Sequence, residues 1–183
     1  MSIGVYRSLW IGILSFGFLT SVALADPAKD LELGEAAFNR EDLSAAMEFF
    51  TKAAKAGYAP AQVRLGELLD ISEYNRDAVE WYRKAAEQGD ASGEYHLGHM
   101  YATGEGVVRS DEKALYWFSL SVAKDYPLAL RTLAQAYRKG ELGLTIDLDK
   151  AKLLDDRAAI LDAAEKRAEA KQAAEKAKKG AEK

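Results

Sequence analysis

The chain has 183 residues, 49% of them hydrophobic, which is enough for one ordinary domain with a continuous core and excludes disorder throughout. Its formal net charge is -4, and because Arg7 is the only charged side chain before Asp26 the remainder is one unit more acidic, a poor balance for nucleic acid, which needs a basic surface. The absence of cysteine excludes disulfides, a lipid-bearing cysteine and thiolate metal sites.

At the N-terminus, Arg7 precedes an apolar stretch from Leu9 to Leu19, followed by Ala23, Leu24 and Ala25 and then Asp26 and Pro27. This is the pattern of a secretory signal peptide, with cleavage expected after Ala25. The alternative is an uncleaved membrane anchor, but Gly12, Ser15 and Gly17 interrupt the stretch and it is short for a span of about 20 residues. Residues 1–25 are therefore read as a leader, 26–161 as the folded domain and 162–183 as a charged helix or flexible tail. The mature chain is expected in the periplasm or secreted, with no stable membrane insertion after cleavage.

Past the leader the sequence repeats itself. The segment from Ala46, with Phe49, Phe50 and Gly57, aligns with Ala78, Trp81, Tyr82 and Gly89 at an offset of 32, and each continues to a leucine–glycine pair, Leu65-Gly66 and Leu97-Gly98. A third copy begins at Ala114 with Trp117 and Phe118 and reaches Leu133-Ala134, offset by 36; a fourth begins at Ala151, offset by 37. Leu33-Gly34, ahead of the first copy, marks a preceding partner helix.

Each copy reads as two helices. Ala78, Trp81, Tyr82, Ala85 and Ala86 follow an i, i+3, i+4, i+7, i+8 stripe, with Glu80, Arg83, Lys84 and Glu87 opposite. Gly89 supplies a left-handed stop and Asp90 the next cap. The second helix carries Tyr95, Leu97, Gly98 and Tyr101, the glycine marking a close approach whose cost of about 1 kcal/mol in a helix interior must be offset by packing. Adjacent aromatics point about 100° apart, so one of each pair is expected in the core of its own helical pair and the other at the joint with the next. One pair cannot bury its apolar face alone, which predicts an all-α stack of antiparallel helical hairpins. In the fourth start Ala151, Leu153, Leu154, Ala158, Ile160 and Leu161 are the apolar anchors; from Arg167 to Lys183 only helix-favouring small and charged residues remain, with one glycine.

The run Trp81 to Ala91, with Leu97-Gly98-His99-Met100-Tyr101 and Gly104-Glu105-Gly106-Val107, resembles the Sel-one-like repeat, a relative of the tetratricopeptide repeat. The resemblance extends from about Leu31 to Leu161. It implies an α/α solenoid and a scaffold or regulatory role, including roles in envelope processes. The first copy departs from the pattern with Asp70 to Arg76 in place of a Gly-x-Gly loop, and the third has Asp125 for Gly89 and Ala134 for Gly98.

Candidate chemistry is sparse. His96 and His99, three apart, fall on one helical face, but no third ligand stands within a turn and a zinc site needs three or four. Gly104-Glu105-Gly106 follows a helix and lacks the Lys-Ser or Lys-Thr of a phosphate loop, so it reads as a turn. No catalytic spacing is recognisable, so no enzyme activity, metal or cofactor is expected.

The partner is expected to be a protein or peptide and not nucleic acid. Outward positions are polar in the first two copies, and Glu80, Arg83, Lys84 and Glu87 form one candidate surface. In the third they become Tyr116, Ser119, Leu120 and Ala123, an apolar set that needs covering. Two coverings are open: the C-terminal helix folding back as a cap, which is preferred, or a partner bound at Tyr116 and Leu120. A glycan or peptidoglycan binder using Tyr58, Tyr74 and Tyr126 is the alternative function.

Overall fold

The computed structural model describes residues 26–181; the expected leader lies outside them. Among the described residues eight helices succeed one another: α1 (Pro27–Phe38), α2 (Leu43–Lys55), α3 (Ala59–Ile71), α4 (Asn75–Glu87), α5 (Ala91–Thr103), α6 (Asp111–Ala123), α7 (Pro127–Lys139) and α8 (Leu148–Ala181). No strand occurs among the described residues.

Local chemistry sets the ends. The carboxylates of Asp26, Asp42, Asp90 and Asp147 and the hydroxyl of Ser110 accept hydrogen bonds from backbone N–H groups in the first turns of α1, α2, α5, α8 and α6. Tyr58 and Tyr126 make no such bond, but Pro60 and Pro127 in the first turns remove a donor that would need a partner. At five helix exits one residue adopts a left-handed conformation: Glu41, Gly57, Glu73, Gly89 and Asp125. In each case the next N–H bonds a carbonyl five residues back, as Asp90 does to Ala85 at 3.1 Å. Helices of 13 residues joined by such short turns produce the 32-residue repeat. The longer loops 104–110 and 140–147 stretch it to 36 and 37.

The structural unit starts one helix earlier than the sequence alignment. The most extensive packing is α1 on α2, α3 on α4, α5 on α6 and α7 on α8, and α2–α3, α4–α5 and α6–α7 join one unit to the next. In addition α1 touches α3 and α3 touches α5, so the odd-numbered helices form one row and the even-numbered helices another.

Within a unit, glycine on the odd helix admits an aromatic ring from the even one. A Cβ on Gly34 would lie 2.4 Å from the Phe50 ring, on Gly66 2.5 Å from Tyr82 and on Gly98 2.9 Å from Phe118. The three rings are buried, each contributing about 2–3 kcal/mol by burial. Their neighbours Phe49, Trp81 and Trp117 are half-buried; Trp81 packs on the cluster that holds Phe50 of the preceding unit and Leu65 of its own, and Trp117 on the cluster around Val63 and Tyr82 of the preceding unit. One aromatic of each pair is in the core of its own unit, as expected, but Trp81 and Trp117 seal the joint with the preceding unit and not, as expected, with the next. The fourth unit reverses both halves: α7 carries Ala134 and α8 has Asp155 at the ring position, so no cleft is needed.

A polar position recurs beneath the odd helices. Asp30, Gln62 and Glu94 are equivalent and buried. Lys52 bonds Asp30 at 2.7 Å, Gln88 donates to Gln62 at 2.7 Å and Lys124 pairs with Glu94, tying each odd helix to the even row. At the same place α7 has buried Leu130.

Two expectations for the C-terminal helix are corrected. Ala151 and Ala158 are buried, but Leu153 and Ile160 are 69% and 70% exposed. They stand about two residues off the buried stripe and so face away from α7. Nor does α8 fold back over Tyr116: it packs as the partner of α7, held also by Arg138–Asp155 and Arg131–Asp162, while Tyr116 stays 58% exposed. From Ala163 to Lys179 every side chain is exposed, and the helix runs on for roughly 28 Å at 1.5 Å per residue.

Candidate protein-interaction groove

The row of odd helices carries two cavities. One, of about 290 Å3, lies where α1, α3 and α5 meet and is lined by Phe38, Arg64, Glu67, Asp70 and His96, with Tyr82 behind them. The other, of about 500 Å3, lies between α5 and α7 and is lined by Tyr95, His99, Thr103, Arg131 and Gln135 over Phe118. Arg64, His96 and Thr132 occupy equivalent repeat positions, as do Glu67, His99 and Gln135. The groove is thus one surface of the repeat written three times with different polar side chains.

The first cavity is held by charge. Arg64 donates to Glu35 through Nε at 2.5 Å and Nη2 at 2.9 Å, reaches Glu67 through Nη1, and lies over the Phe38 and Phe50 rings at 5.2 and 5.5 Å. Burial opposes the charge on Arg64, yet Glu35 and Glu67 carry its pKa above the ordinary value. Glu67 also meets His96 Nε2 at 3.2 Å. Burial pushes its carboxyl upward, but His96 and Arg64 outweigh that and leave it below the usual carboxylate range. Asp70 goes the other way, raised by burial and then by Glu105. Beneath them the His96 ring stacks on Tyr82 at 4.7 Å, and burial, with Asp70 and Glu67 nearby, raises the phenol pKa.

The two histidines line different cavities. His96 lines the α1–α3–α5 cavity and His99 the α5–α7 cavity, with Tyr95 against both. Among the described residues no three or more metal-ligating side chains are placed to hold an ion.

The outward residues singled out in the sequence lie on the even row. Glu80 and Arg83 pair at 2.5 Å, Lys84 sits over the Trp81 ring at 3.8 Å, and Glu87 is exposed. Tyr116 packs edge-on against Trp117, and Leu120 is half-buried. They form two separate helix faces, much of whose polar capacity is already used within the chain. Of the tyrosines considered for glycan, Tyr58 packs on the first core cluster and Tyr126 bonds Ser92 at 3.0 Å, which leaves Tyr74, 62% exposed. Sequence reasoning missed the groove because the odd helices were read through their leucine–glycine pairs. The polar residues one before the leucine and two after it were a usable signal.

Paired helices stacked in two rows define an α/α solenoid repeat protein. The chain belongs to the Sel1 repeat family, whose model matches at residues 34–58, 59–90, 91–126 and 127–159, in the phase of the packed units. The fold is similar to a Sel1 repeat protein from Oxalobacter formigenes (TM-score 0.67, 24% identity, covering 72% of this chain and 56% of that one). It is also similar to c5321, a protective antigen of uropathogenic Escherichia coli strains displaying an SLR fold (TM-score 0.66, 32% identity, 74% of this chain and 31% of that one). MamA shares the fold at a TM-score of 0.52 and 22% identity, over 79% of this chain and 81% of its own. This chain therefore spans about half of the first of these proteins and a third of the second. No curated protein matches it by sequence. No helix among the described residues is long and apolar enough to cross a membrane.

Proposed function

We propose that this chain is an exported, non-catalytic scaffold of the periplasm or cell envelope that holds a segment of another polypeptide along its odd-helix groove. The observation that carries the reading is the groove itself: two cavities on the odd row, both lined from α5, with polar and aromatic side chains at equivalent repeat positions. Sel1 repeats commonly serve protein–protein contacts, which favours a macromolecular partner over a small substrate. Export is supported by the charged, apolar and small-residue order of residues 1–25.

Affinity capture from an envelope extract of the native host tests the binding. Bait carrying Gln135→Trp, which fills the larger cavity, is expected to lose a partner that wild type and Glu87→Ala both retain. Equal capture by all three, or retention only on purified glycan, would refute the groove as the protein-binding surface. For export, immunoblots of cell fractions should show a shortened soluble band outside the cytoplasm; a full-length cytoplasmic band contradicts it.

A further inference from the structure

The smaller cavity opens toward a set of carboxylates that the fold leaves out of its ion pairs. Its apolar side includes Phe38, Leu68 and Ile71, the last 73% exposed. Asp70 and Ile71 also line a neighbouring depression with Glu73, Asn75 and Glu105. Among the described residues none of Asp70, Glu73 and Glu105 takes part in an ion pair; the Glu105 carboxylate accepts one local bond, from the Thr103 hydroxyl. The basic side chains at hand are engaged, Arg64 by Glu35 and Glu67, and His96 by its Nε2 contact with Glu67. Arg76, with Glu73, lines the next depression along.

A second, independent feature points into the same cavity. Tyr82 is 1% exposed and lines it, yet its hydroxyl has no hydrogen-bond partner. Asn75 Oδ1, in the adjoining depression, is likewise buried without one. Buried polar atoms are rarely left so, and each calls for an explanation. Unused acceptors beyond an apolar wall suit a ligand with a methylene stem and a cationic head bearing several donors.

Resting on the reading of the groove as a peptide-binding surface, we propose that this cavity is a socket for one long basic side chain, lysine or arginine, of the bound polypeptide. The stem lies against Phe38 and Ile71, the head meets Asp70 and Glu105, and the Tyr82 oxygen accepts a hydrogen bond. Convergence on a metal ion is disfavoured, because the carboxylates are spread along the depression and no three ligating groups come together among the described residues.

The probes are three capped alanine heptapeptides with arginine, norleucine or glutamate at the centre, titrated into the whole chain and followed by nuclear magnetic resonance. The arginine peptide is expected to shift resonances of Ile71, Tyr82 and Glu105 saturably, and to bind about tenfold tighter than the norleucine peptide, a difference of about 1.4 kcal/mol. Its affinity should fall as salt rises. Asp70→Asn with Glu105→Gln should abolish the preference at an unchanged melting temperature, and Tyr82→Phe, which keeps the ring against Gly66, should weaken arginine binding about fivefold. Equal binding of arginine and norleucine peptides, absent binding, or an unaffected double variant overturns the socket. A native partner still lost on Gln135→Trp but indifferent to Asp70→Asn/Glu105→Gln would sink the socket and leave the groove standing.

Discussion

Gly34, Gly66 and Gly98 set how closely the two helices of a unit approach, because each stands where a ring must lie. Gly66→Ala is expected to lower stability by about 1–3 kcal/mol despite the gain of about 1 kcal/mol in helix propensity, as read by urea unfolding. Ala134→Gly, where Asp155 offers no ring, should cost only the propensity term. The leucine–glycine pairs made this contact legible in the sequence. The buried polar position was not legible, since Asp30, Gln62 and Glu94 look like ordinary helix-surface residues until a partner appears from the even row. Because α7 solves the same place with Leu130, Glu94→Leu should leave stability unchanged or higher by about 1 kcal/mol. Lys124→Ala, which strands the carboxylate, should lower it by about 1 kcal/mol, since Lys124 is 40% exposed and screened. A larger loss from Glu94→Leu would contradict this. Glu67 makes a pH prediction. Its folded pKa lies below the ordinary 4.5, so its stabilising effect is complete above that value and disappears as pH falls through the lower folded value. The melting-temperature gap between wild type and Glu67→Gln should be open at neutral pH and close in acid; a gap that widens in acid reverses the sign.

Helices and turns were legible unevenly. Gly57 and Gly89 announced their turns, whereas Glu41 and Glu73 perform the same left-handed exit with a residue type that carries no such signal. The register of α8 also misled: Leu153 and Ile160 are apolar and seven apart, but burial depends on their angle to Ala151 and Ala158, which only the packing on α7 fixes. Since no described side chain beyond Asp162 is buried, removing residues 163–183 should shift the unfolding midpoint by no more than about 0.5 kcal/mol. Removing everything from Leu148 uncovers the buried face of α7 and should melt the last unit, seen as lost helicity well beyond the deleted residues. A large loss from the shorter truncation would mean that the extended helix packs on something.

Across the whole molecule, the period, the helical class and the extent of the array could be read from the chain because each unit restates the same anchors. The proposed binding surface could not, because it is defined by which row faces which, and that follows from a phase one helix away from the aligned copies. The even row spends Glu80, Arg83 and Lys84 on contacts within the chain and carries one cavity, of about 350 Å3 between α2 and α4, while the odd row carries two at equivalent repeat positions. The claim that the odd row holds the partner is tested most directly by placing a photo-crosslinking residue at Ile71, Gln135, Glu48 or Glu87 in the native host. Ile71 and Gln135 should give one and the same adduct and the two even-row positions none; an adduct formed only from Glu48 or Glu87 would contradict the account.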